Sequence, residues 1–181
     1  MVDETKSLME LISESVTHKE STIRESEEKV LWYPILQFTT QGFILGLHRN
    51  GFWILESEDE VIILNDTYKF WRLVSLLEQS MNDIRKELMS FFDILNIVIN
   101  PDNFFPFIEI TQAGFQFGSK YWAELAFKWY EEIPLEKKVY FTESLTKIEN
   151  AKWASQKLRH MAKKELKKLR IIATTGDTLE I

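Results

Sequence analysis

Between Pro34 and Leu64 the hydrophobic residues alternate with a period of two, and the stretch is broken in the middle by Asn50-Gly51. Asn-Gly is the strongest short hairpin signal, because a tight type I′ turn needs positive φ at both central residues. Four short strands are expected, over 35–40, 43–48, 52–56 and 61–64. Gln41-Gly42, Asn50-Gly51 and the acidic run Ser57-Glu58-Asp59-Glu60 separate them. A two-residue loop at Asn50-Gly51 sets Arg49 opposite Phe52, His48 opposite Trp53, Leu47 opposite Ile54 and Gly46 opposite Leu55. One face then carries Phe43, Leu45, Leu47, Phe52 and Ile54; the other carries Ile44, His48, Trp53 and Leu55, with a dent at Gly46. An antiparallel sheet with one wet face alternates apolar and polar side chains. Here both faces are apolar, so each needs cover from helices or from a partner.

The flanks read as helical. Residues 3–32 are expected as helix with a break near Thr17-His18, and 1–32 as an N-terminal helical segment able to act as a mobile arm. Phe70, Leu73, Leu77, Met81, Ile84, Leu88, Phe91 and Leu95 recur at helical spacing, which predicts one long helix from Thr67 to Asn96. Phe107 to Thr111 is read as a fifth strand, followed by a helix from Ser119 to Glu132 that buries Tyr121, Trp122, Leu125, Ala126 and Trp129. Pro134 suits a first helical turn opening Leu135 to Ile148. A last helix is expected over 150–173, with 174–181 as a flexible tail. The class is α+β: a small antiparallel meander of about four strands packed with a long helix, plus a C-terminal group of helices, in one domain spanning 1–181.

The 13 Phe, 6 Trp and 5 Tyr supply large rings for a core. The absence of cysteine removes disulfides, thiolate metal sites and thiol nucleophiles together, and suits a reducing compartment. With a polar N-terminus and only short apolar runs, a cytoplasmic location without membrane insertion is expected.

Charge is unevenly distributed. The net charge is −6, yet residues 147–172 hold nine Lys/Arg against two Glu, leaving that segment at +7 and the remainder at −13. On a helical projection Lys152, Arg159, Lys163, Lys167 and Arg170 form one stripe, flanked by Lys157, Lys164 and Lys168. Ala151, Ser155, Leu158, Ala162, Leu166, Leu169 and Ala173 lie opposite. Such a face meets an acidic protein, a nucleic-acid backbone or an anionic membrane, or is simply solvated or docked against the acidic N-terminal helix of the same molecule. The apolar side lacks the Trp, Phe and Leu of an interfacial helix, and only Trp153 offers a stacking ring near the cations, so membrane and nucleic acid are disfavoured.

No catalytic, metal or cofactor motif stands out, and no cofactor is expected. His18, His48 and His160 are far apart, without His-x-x-x-His spacing. Glu58-Asp59-Glu60 and Glu131-Glu132 are adjacent acids of the kind that solvate turns and helix ends. Gly42-x-x-x-Gly46 lies in a strand and lacks the lysine of a phosphate loop. The sequence therefore points to a non-catalytic protein-interaction or regulatory module, with homodimerisation as one form of partnership. Lys152, Arg159, Lys163, Lys167, Arg170, His48 and Trp53 are the candidate partner-binding residues. The alternatives are an enzyme whose site assembles from dispersed residues such as His48, Tyr68 and Glu109, and nucleic-acid binding through the last helix.

Overall fold

The Asn50-Gly51 hairpin forms, one register away from the expected one. In the computed structural model, which describes residues 2–23 and 26–176, the turn takes three residues, Arg49-Asn50-Gly51. His48 N–H donates to the Phe52 carbonyl at 2.7 Å, and Gly51 N–H to the His48 carbonyl at 2.8 Å. Gly51 adopts φ +83°, the left-handed bulge position that closes a three-residue loop. Leu47 therefore pairs with Trp53, Gly46 with Ile54, and Leu45 with Leu55. A one-residue slip exchanges faces. Trp53 and Leu55 join Phe43, Leu45 and Leu47, whereas Ile54 joins Ile44, Gly46 and His48.

Close contacts divide the chain into two compact units, Met1–Lys69 with Gln79–Pro106, and Phe70–Glu78 with Phe107–Ile181. The first unit holds helix α1 (Val2–Ser15) and five strands in the order β1-β2-β3-β4-β5, all antiparallel: Lys19–Thr22, Lys29–Phe38, Phe43–His48, Trp53–Ser57 and Val61–Leu64. It also holds α2 (Met81–Ile94) and the short α3 (Pro101–Phe104). Two expectations fail here. The helical reading of 3–32 stops at Ser15, because Lys19–Thr22 and Lys29–Phe38 are strands. The fifth strand is β1, since Phe107 to Thr111 is helical instead. Residues 24 and 25, within the supposed arm, lie outside the described residues, as does 177–181 of the supposed tail.

The two apolar sheet faces are covered in different ways. On one, Leu36, Phe38, Phe43, Leu45, Leu47, Trp53 and Leu55 are buried, with α2 against β2. The Trp53 ring stacks on Phe104 at 6.0 Å and meets the edge of Phe105 at 5.3 Å. The other face covers itself. The sheet curls so far that β1 reaches β4: the Lys19 ammonium and the Ser21 hydroxyl both bond the Glu56 carboxylate, although two strands lie between them. Beneath that closure sits Trp32, fully buried with Val30 and Ile54 and flanked by Ile23, Ile44, Val61 and Ile63. Its indole N–H donates to Ser21 Oγ at 3.0 Å. The dent at Gly46 is where this ring lies, for a Cβ there would stand 2.4 Å from Trp32 Cε3 and 2.2 Å from the Tyr33 carbonyl oxygen.

The expected long helix over 67–96 is two. A 3₁₀ segment, Thr67–Glu78, ends at Gln79-Ser80, and α2 begins at Met81 with Ser80 as its N-terminal cap residue. Phe70, Leu73, Leu77, Met81, Ile84 and Leu88 are buried as the stripe requires, while Phe92 replaces Phe91 inside. The second unit contains residues 70–78 of that segment and the helices α4 (Phe107–Gln116), α5 (Lys120–Glu132), α6 (Thr142–Asn150) and α7 (Gln156–Gly176). Its core is aromatic: Phe115, Phe127, Tyr130 and Phe141 meet pairwise at 4.8 to 6.2 Å between ring centres. In α5, Ala123, Ala126 and Trp129 are buried, but Tyr121 is exposed and its hydroxyl donates to Glu78 at 2.7 Å. Pro134 opens a 3₁₀ segment, Leu135–Phe141, and α6 then continues to Asn150. Among the described residues no helix is long and apolar enough to cross a membrane.

Candidate functional site

The C-terminal helix starts six residues later than its sequence suggests. Residues 151–155 are non-helical, and Ser155 caps α7: its Oγ accepts from Leu158 N–H at 3.2 Å. Lys152 is consequently exposed in the connection and is not part of the helical stripe. Arg159 is also spoken for. Its Nη1 donates to the Ala154 carbonyl at 2.8 Å and the Ala151 carbonyl at 3.4 Å, tying the connection back onto the first turn of the helix.

Beyond that turn the helix divides cleanly. Leu158, Ala162 and Leu166 are buried, and α7 packs on α6 and α5. On the far side Lys157, His160, Lys163, Lys164, Lys167, Lys168 and Arg170 are all exposed. At 1.5 Å rise per residue, Lys157 to Arg170 extends about 20 Å. Lys168 pairs with Glu165, the one acid between Gln156 and Gly176. Lys157, Lys163, Lys164 and Lys167 form no ion pair with a described residue. Sequence reading missed His160, which sits in the middle of this face; its position on the same projection was the available signal.

His48 and Trp53 do not form a pair. The register places His48 beside Trp32 and Trp53 beside Leu47, on opposite faces of the sheet. Trp53 is a core residue, 4% exposed, and its indole N–H donates to the Phe104 carbonyl at 3.2 Å. His48 is half-buried, and its Nδ1 accepts from Asn50 N–H at 3.3 Å, so it helps shape the turn. Burial and then the neighbouring Arg49 charge hold its imidazole below the ordinary histidine range.

The dispersed catalytic set draws on both units. His48 and Tyr68 belong to the first unit and Glu109 to the second, and Tyr68 is highly exposed. Glu109 is nonetheless unusual. Burial raises its carboxyl above the ordinary range, and Oε2 is enclosed without a hydrogen-bond donor. Among the described residues Tyr130 is a second such group: its hydroxyl is enclosed near Glu165 but short of hydrogen-bond geometry, and burial, reinforced by that charge, pushes it well up. Among the described residues no group of three or more His, Asp or Glu gathers as metal ligands.

The first unit also has a cleft of about 610 Å³, lined by Met9, Glu10 and Ser13 of α1, Tyr33 of β2, and Arg49, Asn50 and Phe52 of the hairpin turn. None of these residues stands out in the sequence as part of a site, since they come from three separated stretches. Compared with known proteins, the chain matches no family model, no curated protein and no solved structure.

Proposed function

We propose that this protein is a non-catalytic interaction module that grips an acidic protein partner with the lysine face of α7. One observation supports this above the others: Lys157, Lys163, Lys164 and Lys167 lie exposed, without an ion pair to a described residue, on a helix whose opposite side builds the unit. Helix packing needs Leu158, Ala162 and Leu166; it does not need the lysines. A run of like charges repels itself, and a partner that places carboxylates along about 20 Å relieves that repulsion. Charge complementarity of this kind speeds encounter and selects partners, and salt weakens it. The absence of rings among the exposed cations, Trp153 apart, favours a protein over single-stranded nucleic acid, where stacking supplies much of the affinity.

The test replaces exposed His160 with a photo-crosslinking amino acid and irradiates the full chain in lysate of its native host. At low salt the expected product is a covalent adduct with one acidic protein, abolished by high salt and by K163E/K164E/K167E. Adducts with nucleic acid, no adduct at all, or an adduct that the triple variant retains would each overturn the reading.

A further inference from the structure

The cleft between α1 and the hairpin turn is lined by one acid, one base and three apolar side chains. Glu10 comes from the helix and Arg49 from the turn, and neither makes an ion pair with a described residue. Met9, Tyr33 and Phe52 contribute apolar surface, and Ser13 and Asn50 add a hydroxyl and an amide. At about 610 Å³ the space is of the size that takes small organic ligands.

The two charges restrict which ligand fits. A plain carboxylate would answer Arg49 but be repelled by Glu10, and a plain amine the reverse. A molecule with both an ammonium and a carboxylate satisfies each wall. Tyr33 and Phe52 then offer ring surface to whatever lies between those ends. We propose that this cleft binds a small zwitterion with an apolar side chain, of the amino-acid or dipeptide class, with its carboxylate on Arg49 and its ammonium on Glu10. Guanidinium and carboxylate match in shape as well as charge, since both are planar and can bond at two points. The site lies wholly within the first unit, whereas the lysine face belongs to the second, so the two proposals stand or fall separately.

The probe is a library of free dipeptides of Leu, Phe and Met, added to the full chain and followed by saturation-transfer NMR. N-acetylated and C-amidated versions of the same library are run beside it. The expected result is saturable binding of free dipeptides, weakened about tenfold by R49Q and by E10Q. Acetylation should remove the sensitivity to E10Q, and amidation the sensitivity to R49Q. Both positions are exposed, so folding of the variants is checked simply by their unchanged unfolding midpoints. Absence of saturable binding by every free dipeptide, or equal affinity in wild type and both variants, would overturn the proposal.

Discussion

Glu109 carries a carboxylate oxygen that no donor reaches, in a position where burial resists ionisation more strongly than Lys137 assists it. The sign of the consequence follows from linkage. Its folded-state pKa is raised, so between the unfolded and folded values the native protein holds a proton that the unfolded chain has released. The favourable contribution is complete below the unfolded value and is lost as pH rises through the folded one. E109Q keeps the shape and removes the charge. Its urea midpoint should exceed that of wild type at pH 8, and the gap should close towards pH 4. Equal midpoints at pH 8 would show that the buried carboxylate carries no penalty. The sequence alone offered Glu109 only as one of several dispersed groups that folding could gather into a catalytic site. Its unmet oxygen depends on the tertiary packing, and no local pattern encodes that.

At the scale of elements, the sheet shows what a local pattern can and cannot specify. The strands β3, β4 and β5 follow from their short apolar runs between turn residues, and the hairpin follows from Asn50-Gly51. The register does not, because Arg49 joins the turn and Gly51 takes the bulge position, and one added residue reverses every facing. Strand β1 escaped notice since Lys-Glu-Ser-Thr has no apolar alternation; its pairing with β2 and its bonds to Glu56 supply what the pattern lacks. Phe107 to Thr111 misled in the other direction, a short apolar run that suits either period. Lys152 left the candidate face through a helix start that the Ser155 cap reveals, and Arg159 through its bonds to the Ala154 and Ala151 carbonyls. The lysines farther along needed only the helical period and were legible. The curl itself yields a test. Gly46 admits Trp32 beneath the closure, and one of the atoms crowding an added Cβ belongs to the backbone and has little freedom to move. G46A should therefore destabilise the protein by about 3 kcal/mol, the upper range for overpacking, read from chemical unfolding. A loss under about 0.5 kcal/mol would mean that the ring relocates freely.

For the molecule as a whole, the path of the chain matters more than any single contact. Each unit is assembled from two stretches, and residues 70–78 of the second are contributed before the first is finished. In the second unit Leu77 reaches Gly114, where an added Cβ would stand 2.4 Å from Leu77 Cδ1 and 2.9 Å from the Ala126 methyl. A fragment beginning at Phe107 lacks Leu77, while a second fragment restores 70–78 through a short Gly-Ser linker. The restored version should be more stable by about 2 kcal/mol, the contribution of one buried leucine, followed by tryptophan fluorescence in urea. Identical unfolding of the two fragments would show that 70–78 adds nothing to that unit. The same interleaving bears on ancestry. A genetic exchange with one breakpoint can hand on a contiguous stretch, but neither unit is contiguous, so any such exchange severs at least one of them. A recombinant then keeps both units whole only if the incoming stretch packs as the one it replaces.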